Sequence, residues 1–231
     1  MTYIFEPEER ATLRVLGSDK RFPVRRIYCV GRNYADHALE MGADPVRESP
    51  FFFSKPADAV LSGSKEIPFP RRTNNLHHEV ELVVAIAQEA NNISVAEASA
   101  CIFAYAVGND LTRRDLQAEA KNAKRPWDVA KGFDSSAPIS SLMPVAQSGI
   151  LESGEIHLKV NGELRQQGDI SDMIWSVDEI IAELSTLFVL KPGDLIFTGT
   201  PSGVGPLKIG DTVECYVEGV ARTEHNVVAG R

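Results

Sequence analysis

The segment HHEVELVVAIA, residues 77–87, decides the fold interpretation because it reads as a buried strand that carries acidic residues at one end. Alternate side chains of a strand point to opposite faces. Four apolar side chains would therefore share the core-facing side: Val80, Leu82, Val84 and Ile86. Glu79 and Glu81 would share the other side, where neighbouring like charges repel unless a cation or water separates them. The nearby sequence offers no obvious basic partner.

A third acid strengthens the case for a cation. Asp110 closely follows the apolar run 102–107, which reads as another buried strand. Three carboxylates suit a hard cation such as Mg²⁺ or Mn²⁺ better than zinc. His77 and His78 are adjacent, so on a strand they cannot both reach one metal; His77 shares the face of the glutamates. For two glutamates alone, the alternative is a solvent-facing strand edge.

The rest of the chain predicts many short strands and few helices. Apolar, β-rich runs occupy residues 24–30, 51–53, 80–87, 102–107, 156–160, 195–198 and 212–217. Asn161-Gly162 predicts a tight hairpin turn. Capping boxes that begin at Ser94 and Ser176 predict helix starts, and further helices are expected near 35–41 and 115–123. Without βαβ alternation, this pattern favours a β-rich α+β fold.

Composition excludes some partners. The 231 residues carry a formal net charge of -8, which argues against nucleic-acid binding. The cysteines number three and are widely spaced, which predicts reduced thiols in a cytoplasm. The N-terminal stretch has no signal-peptide core, and no apolar run approaches the ~20 residues of a membrane span. We therefore expect a soluble cytoplasmic protein.

Three further segments carry candidate chemistry. His37 and Glu40 are three residues apart, a spacing that on a helix lets a carboxylate orient an imidazole as a general base. The alternative is an exposed ion pair. Lys131 lies between apolar residues and a glycine, as either a snorkelling surface lysine or a buried cation that stabilises negative charge. The glycine-rich turn 199–205 follows a strand, lacks the ending of a nucleotide-binding loop, and suits a small carboxylate.

Together these segments resemble the fumarylacetoacetate hydrolase family. The motifs that carry the resemblance, in chain order, are GRNYADH (31–37), FSKP (53–56), HHEVEL (77–82), DLTRRD (110–115), WDVAKGF (127–133) and FTGTP (197–201). The resemblance implies the mixed β-structure of that family's C-terminal domain, spanning residues 24–231. Residues 1–23 are expected to form an N-terminal flap or strand pair.

The resemblance also implies roles for individual residues. The metal ligands would be Glu79, Glu81 and Asp110, with Mg²⁺ or Mn²⁺ bound. The catalytic residues would be a His37–Glu40 dyad in a lid, together with Lys131. Substrate contacts would come from Arg114, Gln117 and Thr200; Arg32 is a further candidate, since the lid sequence also carries it.

The expected activity is hydrolysis of a carbon–carbon bond in an acylpyruvate by a homodimeric enzyme. Residues 30–33 lack the additional metal-binding acid of true fumarylacetoacetate hydrolases. The chain looks most like the bacterial fumarylpyruvate hydrolases of aromatic catabolism, which form fumarate and pyruvate. Two alternatives stay open: a 2-oxo-acid decarboxylase or isomerase, such as an oxaloacetate decarboxylase, on the same scaffold, and a non-catalytic metal-binding module.

Overall fold

The structure, a computed structural model, describes residues 2–40, 48–63 and 65–230, without the side chains of residues 38–40. Over these ranges the chain is mixed α+β and mostly sheet, which confirms the predicted fold class.

The strands in the described ranges are β1 (Thr12–Arg14), β2 (Arg21–Pro23), β3 (Arg26–Gly31), β4 (Phe51–Lys55), β5 (Val60–Leu61), β6 (Glu66–Pro68), β7 (Leu76–His78), β8 (Val80–Ile86), β9 (Ile102–Asn109), β10 (Thr112–Arg113), β11 (Ala137–Pro138), β12 (Met143–Pro144), β13 (Glu155–Val160), β14 (Glu163–Asp169), β15 (Asp194–Phe197), β16 (Gly205–Leu207), β17 (Thr212–Val217) and β18 (Ala221–Val228). The helices there are α1 (Ala35–Glu40), α2 (Val95–Ala98), α3 (Arg114–Asn122), α4 (Asp128–Lys131), α5 (Val145–Ser148) and α6 (Val177–Leu187).

Two larger sheets form the body of the molecule. A six-stranded sheet has the order β12-β9-β8-β15-β3-β4, and a five-stranded sheet has the order β14-β13-β17-β18-β6. Neighbours are antiparallel apart from the parallel pairs β15–β3 and β18–β6. A smaller sheet, ordered β10-β7-β16, lies at one end of β8.

The six-stranded sheet is buried on both faces. One face of β8, including Leu82 and Val84, belongs to a core that also contains Ile156 and Leu158 of the five-stranded sheet and helix α6. The opposite face contributes Val83 to a second core. Full burial of such aliphatic side chains contributes roughly 1.5–3 kcal/mol each. Strand β8 is therefore a rigid support for the acidic residues at its start, Glu79 and Glu81.

The prediction of one strand through residues 77–87 is wrong in detail. Strand β7 ends at His78 and pairs with β10 and β16, whereas β8 begins at Val80 and pairs with β9 and β15. The chain changes sheets at Glu79. The face assignment survives this break, because the apolar residues of β8 fill the core as expected and Glu79 still converges with Glu81.

Most other local predictions are confirmed. Asn161 and Gly162, with φ of 53° and 81°, connect β13 to β14. The capping boxes at Ser94 and Ser176 begin α2 and α6. The predicted helix at 35–41 appears as α1, although residue 41 lies outside the described residues.

The N-terminal segment contains the antiparallel pair β1–β2, and its Leu13 and Phe22 enter the second core. The domain boundary at residue 23 stays a prediction. Among the described residues, no helix has the length and apolar character needed to cross a membrane.

Candidate active site

Three acids converge where the small sheet meets the six-stranded sheet. Glu79 lies between β7 and β8, Glu81 on β8, and Asp110 directly after β9. The Asp110 N–H donates to the Glu79 carbonyl at 2.8 Å, and the Glu79 N–H donates to Asn109 Oδ1 at 3.0 Å. One carboxylate oxygen of each acid lies within 4.8 Å of the others. Paired backbone therefore fixes the predicted acids side by side.

All three acids are buried. Glu79 is 5% exposed, Glu81 2% and Asp110 0%. The alternative of a solvent-facing strand edge is therefore wrong. Charged groups at such depth are held by partners or metal ions, because burying an isolated charge is costly.

Glu79 has basic partners, contrary to the expectation from the nearby sequence. Lys131, at the end of α4, donates to Glu79 Oε2 at 2.8 Å and to Asp110 Oδ2 at 2.6 Å. Arg114, at the start of α3, contacts Glu79 Oε1. Both partners are distant along the chain, so only the tertiary fold brings them to Glu79. Lys131 is 2% exposed, which contradicts the snorkelling alternative.

A second buried lysine, Lys55, was not identified from the sequence. Lys55, the last residue of β4, places Nζ 2.8 Å from Asp110 Oδ1. The same ammonium donates to the carbonyls of Leu111, at 3.1 Å, and Lys131, at 2.5 Å. Lys55 therefore connects the carboxylate of Asp110 to the backbone of Lys131. The available signal was strand alternation, which puts Lys55 on the same face as Phe53 of the pocket wall.

Charge and burial shift the pKa values of Glu79 and Glu81 in opposite directions. Burial alone would raise the pKa of Glu79, but Lys131 and Arg114 outweigh it and hold that pKa below its usual range. Burial, followed by the charges of Asp110 and Glu79, raises the pKa of Glu81 well above its usual range. The Gly199 N–H, which donates to Glu81 Oε2 at 2.8 Å, opposes this only in part.

The donor set fits a divalent cation. Three buried carboxylates offer hard oxygen ligands, which Mg²⁺ and Mn²⁺ prefer. Burial and the neighbouring charges of Asp110 and Glu79 both raise the pKa of Glu81, and a bound cation would offset these effects. The triad could therefore hold a metal ion, as predicted.

The candidate base lines the same pocket as the acids. His37 of α1 is buried and lines the pocket together with the three acids and Lys131. Its imidazole is close enough to contribute to the lowered pKa of Glu79. The side chain of Glu40 lies outside the described residues, so the His37–Glu40 dyad stays a prediction.

The predicted substrate contacts line this pocket too. Arg32, Arg114, Gln117 and Thr200 all contribute to its wall. Arg114 donates to Gln117 Oε1 at 2.6 Å and to His77 Nδ1 at 3.3 Å. His77 therefore helps to hold Arg114 beside the acids. Burial, followed by the charge of Arg114, lowers the pKa of His77 to about 4.

The glycine turn approaches the acids closely. Gly199 has φ of +100°, and a Cβ on it would lie 2.7 Å from Asn33 Cβ. Glycine is needed here for both conformation and space. Asn33 donates to the Thr198 carbonyl at 2.8 Å, which ties the segment before α1 to this turn. As predicted, no helix follows the turn among the described residues; β16 does.

Comparison with known proteins assigns the fold. The profile of the fumarylacetoacetate hydrolase C-terminal domain matches residues 26–228. The chain belongs to the fumarylacetoacetate hydrolase family. The sequence resemblance to this family is thereby confirmed.

Relatives within the family differ in activity. A crystal structure of fumarylpyruvate hydrolase from Pseudomonas aeruginosa, in complex with Mn²⁺ and pyruvate, is 49% identical, with 99% of this chain and 100% of that chain covered and a TM-score of 0.97. A mitochondrial oxaloacetate tautomerase of Arabidopsis thaliana is 44% identical over 87% of this chain and 90% of its own length. A mitochondrial oxaloacetate decarboxylase of Dictyostelium discoideum is 40% identical over 85% of this chain and 90% of its own length.

Proposed function

We propose that this family member is a divalent-metal-dependent hydrolase that cleaves the carbon–carbon bond of an acylpyruvate. The proposed substrate is fumarylpyruvate, and the products are fumarate and pyruvate. The observation that carries the proposal is the meeting of the acidic triad, Lys131 and His37 in one pocket. The similarity to the fumarylpyruvate hydrolase of Pseudomonas aeruginosa, which extends over nearly the whole chain, supports the choice of substrate.

In the proposed reaction, Glu79, Glu81 and Asp110 hold the cation. When bound, Mg²⁺ or Mn²⁺ supplies Lewis acidity toward the oxygens of a 2-oxo acid.

His37 accepts a proton from a water that attacks the distal carbonyl of the substrate. Lys131 stabilises the negative charge that develops as the carbon–carbon bond breaks. The two electrons of that bond leave with the pyruvate fragment as its enolate, and a proton completes pyruvate. The acyl fragment retains the water oxygen as a carboxylic acid.

Cations in the pocket support a substrate with a carboxylate at each end. Lys121 of α3 lines the pocket, with Nζ 5.9 Å from the centre of the Trp127 ring. Burial first, and then the charges of Arg32 and Arg114, lower the pKa of Lys121. An anionic substrate group would relieve this mutual repulsion. The fumaroyl carboxylate is such a group, whereas the methyl end of acetylpyruvate is not.

The oxaloacetate relatives favour a second candidate, an oxaloacetate tautomerase or decarboxylase. Oxaloacetate is also a dicarboxylic 2-oxo acid, so the same ligands and cations would suit it. Neither of these reactions needs a water that attacks a carbonyl. The activation of water proposed for His37 therefore distinguishes the candidates better than substrate binding does.

Product analysis tests the proposal. We expect the Mn²⁺-loaded protein to convert fumarylpyruvate to equal amounts of fumarate and pyruvate, measured by NMR, with kcat/KM above that for acetylpyruvate. Oxaloacetate is the comparison substrate, with carbon dioxide release and enol–keto exchange both followed. Turnover of oxaloacetate without cleavage of any acylpyruvate would contradict the hydrolase and support the second candidate.

The homodimer and the cytoplasmic location remain proposals that accompany this function. Gel filtration with light scattering checks the first, and fractionation of the native host checks the second.

A further inference from the structure

Strand β14 fully buries one of its side chains, and that side chain is polar. Gln166 is 1% exposed, while the other residues of Glu163–Asp169 are exposed or half-buried. The pairing with β13 explains its direction: Leu158 pairs with Gln166, but Lys159 pairs with Leu164. Arg165 is thus the extra residue of a β-bulge. Bulges re-aim side chains, and here the bulge directs an amide inward.

The buried amide makes four hydrogen bonds. Its Oε1 accepts from the Val80 N–H at 3.1 Å, and its Nε2 donates to the Pro201 carbonyl at 2.9 Å. The roles of these backbone groups are fixed, so the orientation of the amide is fixed as well. His78 Nδ1, 2.8 Å from Oε1, must then be the donor in the third bond.

The fourth bond reaches a pocket residue. Gln166 Nε2 donates to Thr200 Oγ1 at 2.8 Å, and Thr200 Oγ1 donates to the Val80 carbonyl at 2.8 Å. The proton and one lone pair of that hydroxyl are therefore already engaged. Gln166 and Val80, the first residue of β8, therefore determine how the Thr200 hydroxyl is oriented toward a ligand.

The turn and the bulge also fit one another sterically. A Cβ on Gly203 would lie 2.0 Å from the Arg165 carbonyl oxygen, and Gly203 has φ of +93°. A Cβ on Gly168 would lie 3.0 Å from Pro201. The approach at Gly203 requires glycine, and at Gly168 a larger residue would press on Pro201. The turn 199–203 is therefore packed directly against the bulged part of β14.

We propose that Gln166 is a positioning residue, which holds Thr200 and Pro201 so that the turn 199–201 binds the 2-oxo-acid end of the ligand. This inference rests on the proposed function, in which the pocket receives a 2-oxo acid. Gln166 itself acts through Thr200 and touches no reacting atom.

The test measures pyruvate binding to the Mn²⁺-loaded protein by calorimetry, with Mn²⁺ affinity measured separately by electron paramagnetic resonance. The variants are Gln166→Met, Gln166→Glu, Thr200→Val and the double variant Gln166→Met with Thr200→Val. Gln167→Met is the matched control, because Gln167 is the exposed neighbour on the same strand. Circular dichroism and thermal unfolding verify that each variant is folded.

We expect Gln166→Met and Thr200→Val each to weaken pyruvate binding about tenfold, and the double variant to lose no more than either alone, since residues in one network are not additive. Mn²⁺ affinity and the control should stay within about threefold of wild type, because the hydrogen bonds of Gln166 go to Val80, His78, Thr200 and Pro201 and to none of the three carboxylates. Gln166→Glu retains the shape and the accepted bonds but cannot donate to Thr200, so it should also weaken binding and serves if the methionine variant fails to fold.

Wild-type pyruvate affinity in Gln166→Glu or Gln166→Met, or additive losses in the double variant, would overturn the inference. Pyruvate binding requires no turnover. A protein that binds pyruvate but does not cleave fumarylpyruvate would therefore contradict the proposed function and leave this test intact.

Discussion

The charged residues of the pocket fall into two groups, called here the acidic end and the basic end, which are built from different kinds of structure. At the acidic end, Glu79, Glu81 and Asp110 are attached to paired strands, and Lys131 is buried among them. At the basic end, Arg32 lies in the turn after β3 and is exposed, and Lys121 lies on α3 and is half-buried.

The difference determines how strongly charges interact. Ion pairs removed from water interact strongly and are costly to break, whereas exposed charges are screened. We therefore expect the acidic end to control activity and folding, and the basic end to tune the choice of substrate. The following predictions test that division, from the largest effect to the smallest.

Loss of the metal should have the largest effect. We expect excess EDTA to abolish turnover and Mn²⁺ or Mg²⁺ to restore it, because removing Lewis acidity worth several kcal/mol costs about 10³-fold or more in rate. Glu79→Ala should lose both Mn²⁺ affinity and activity. Glu163→Ala, which removes an exposed acid, is the control. Full activity in EDTA would show that the triad is structural.

His37, which lines the same pocket, should come next. We expect His37→Ala to reduce hydrolysis of fumarylpyruvate by roughly 10²–10⁴-fold, the usual cost of losing a general base. Mn²⁺ affinity should change little, because His37 is not one of the proposed ligands. Decarboxylation of oxaloacetate by the same variant is the internal control. Equal loss in both reactions would contradict a role in water activation.

Replacing Lys55 tests how strongly the acidic end stabilises the folded protein. We expect Lys55→Met to lower the free energy of unfolding by about 3–5 kcal/mol, because it removes one of the two buried ammonium groups that pair with Asp110 and leaves its Oδ1 without a cation. Lys159→Met is the control: its Nζ lies 3.7 Å from Glu214 Oε1 in a partly exposed pair, so the loss should be below about 1 kcal/mol. Urea unfolding measures both. Similar losses would remove the proposed contrast between buried and exposed charge.

Lys121 tests the basic end and should give the smallest effect. We expect Lys121→Met to raise KM for fumarylpyruvate about tenfold, equivalent to one charged hydrogen bond, and to leave KM for acetylpyruvate unchanged. Lys124→Met, which alters an exposed lysine just beyond α3, should change neither value. Equal increases for both substrates would mean that Lys121 does not recognise the distal carboxylate.

Local chemistry explains which features were predictable. Hairpin turns and helix caps depend on a few adjacent residues, so Asn161-Gly162 and the capping box at Ser176 could be identified directly. The burial of β8 followed from its apolar residues. The convergence of Glu79, Glu81 and Asp110 was predictable because the two glutamates lie near the start of β8 and Asp110 directly follows its neighbour, β9.

The sequence by itself therefore determined the main apolar strands, the hairpin turn, the helix caps and the three acids, all of which depend on short-range pattern. Only the tertiary structure decided what surrounds those acids. Lys55, Arg114 and Lys131 reach them from β4, α3 and α4, and Gln166 reaches the glycine turn from a bulge in β14. The break at Glu79 was hidden for the same reason, since the partners of a strand lie far away along the chain. Long-range pairing leaves no periodic signature in the sequence, so partners of buried charges become visible only once the sheets are assembled.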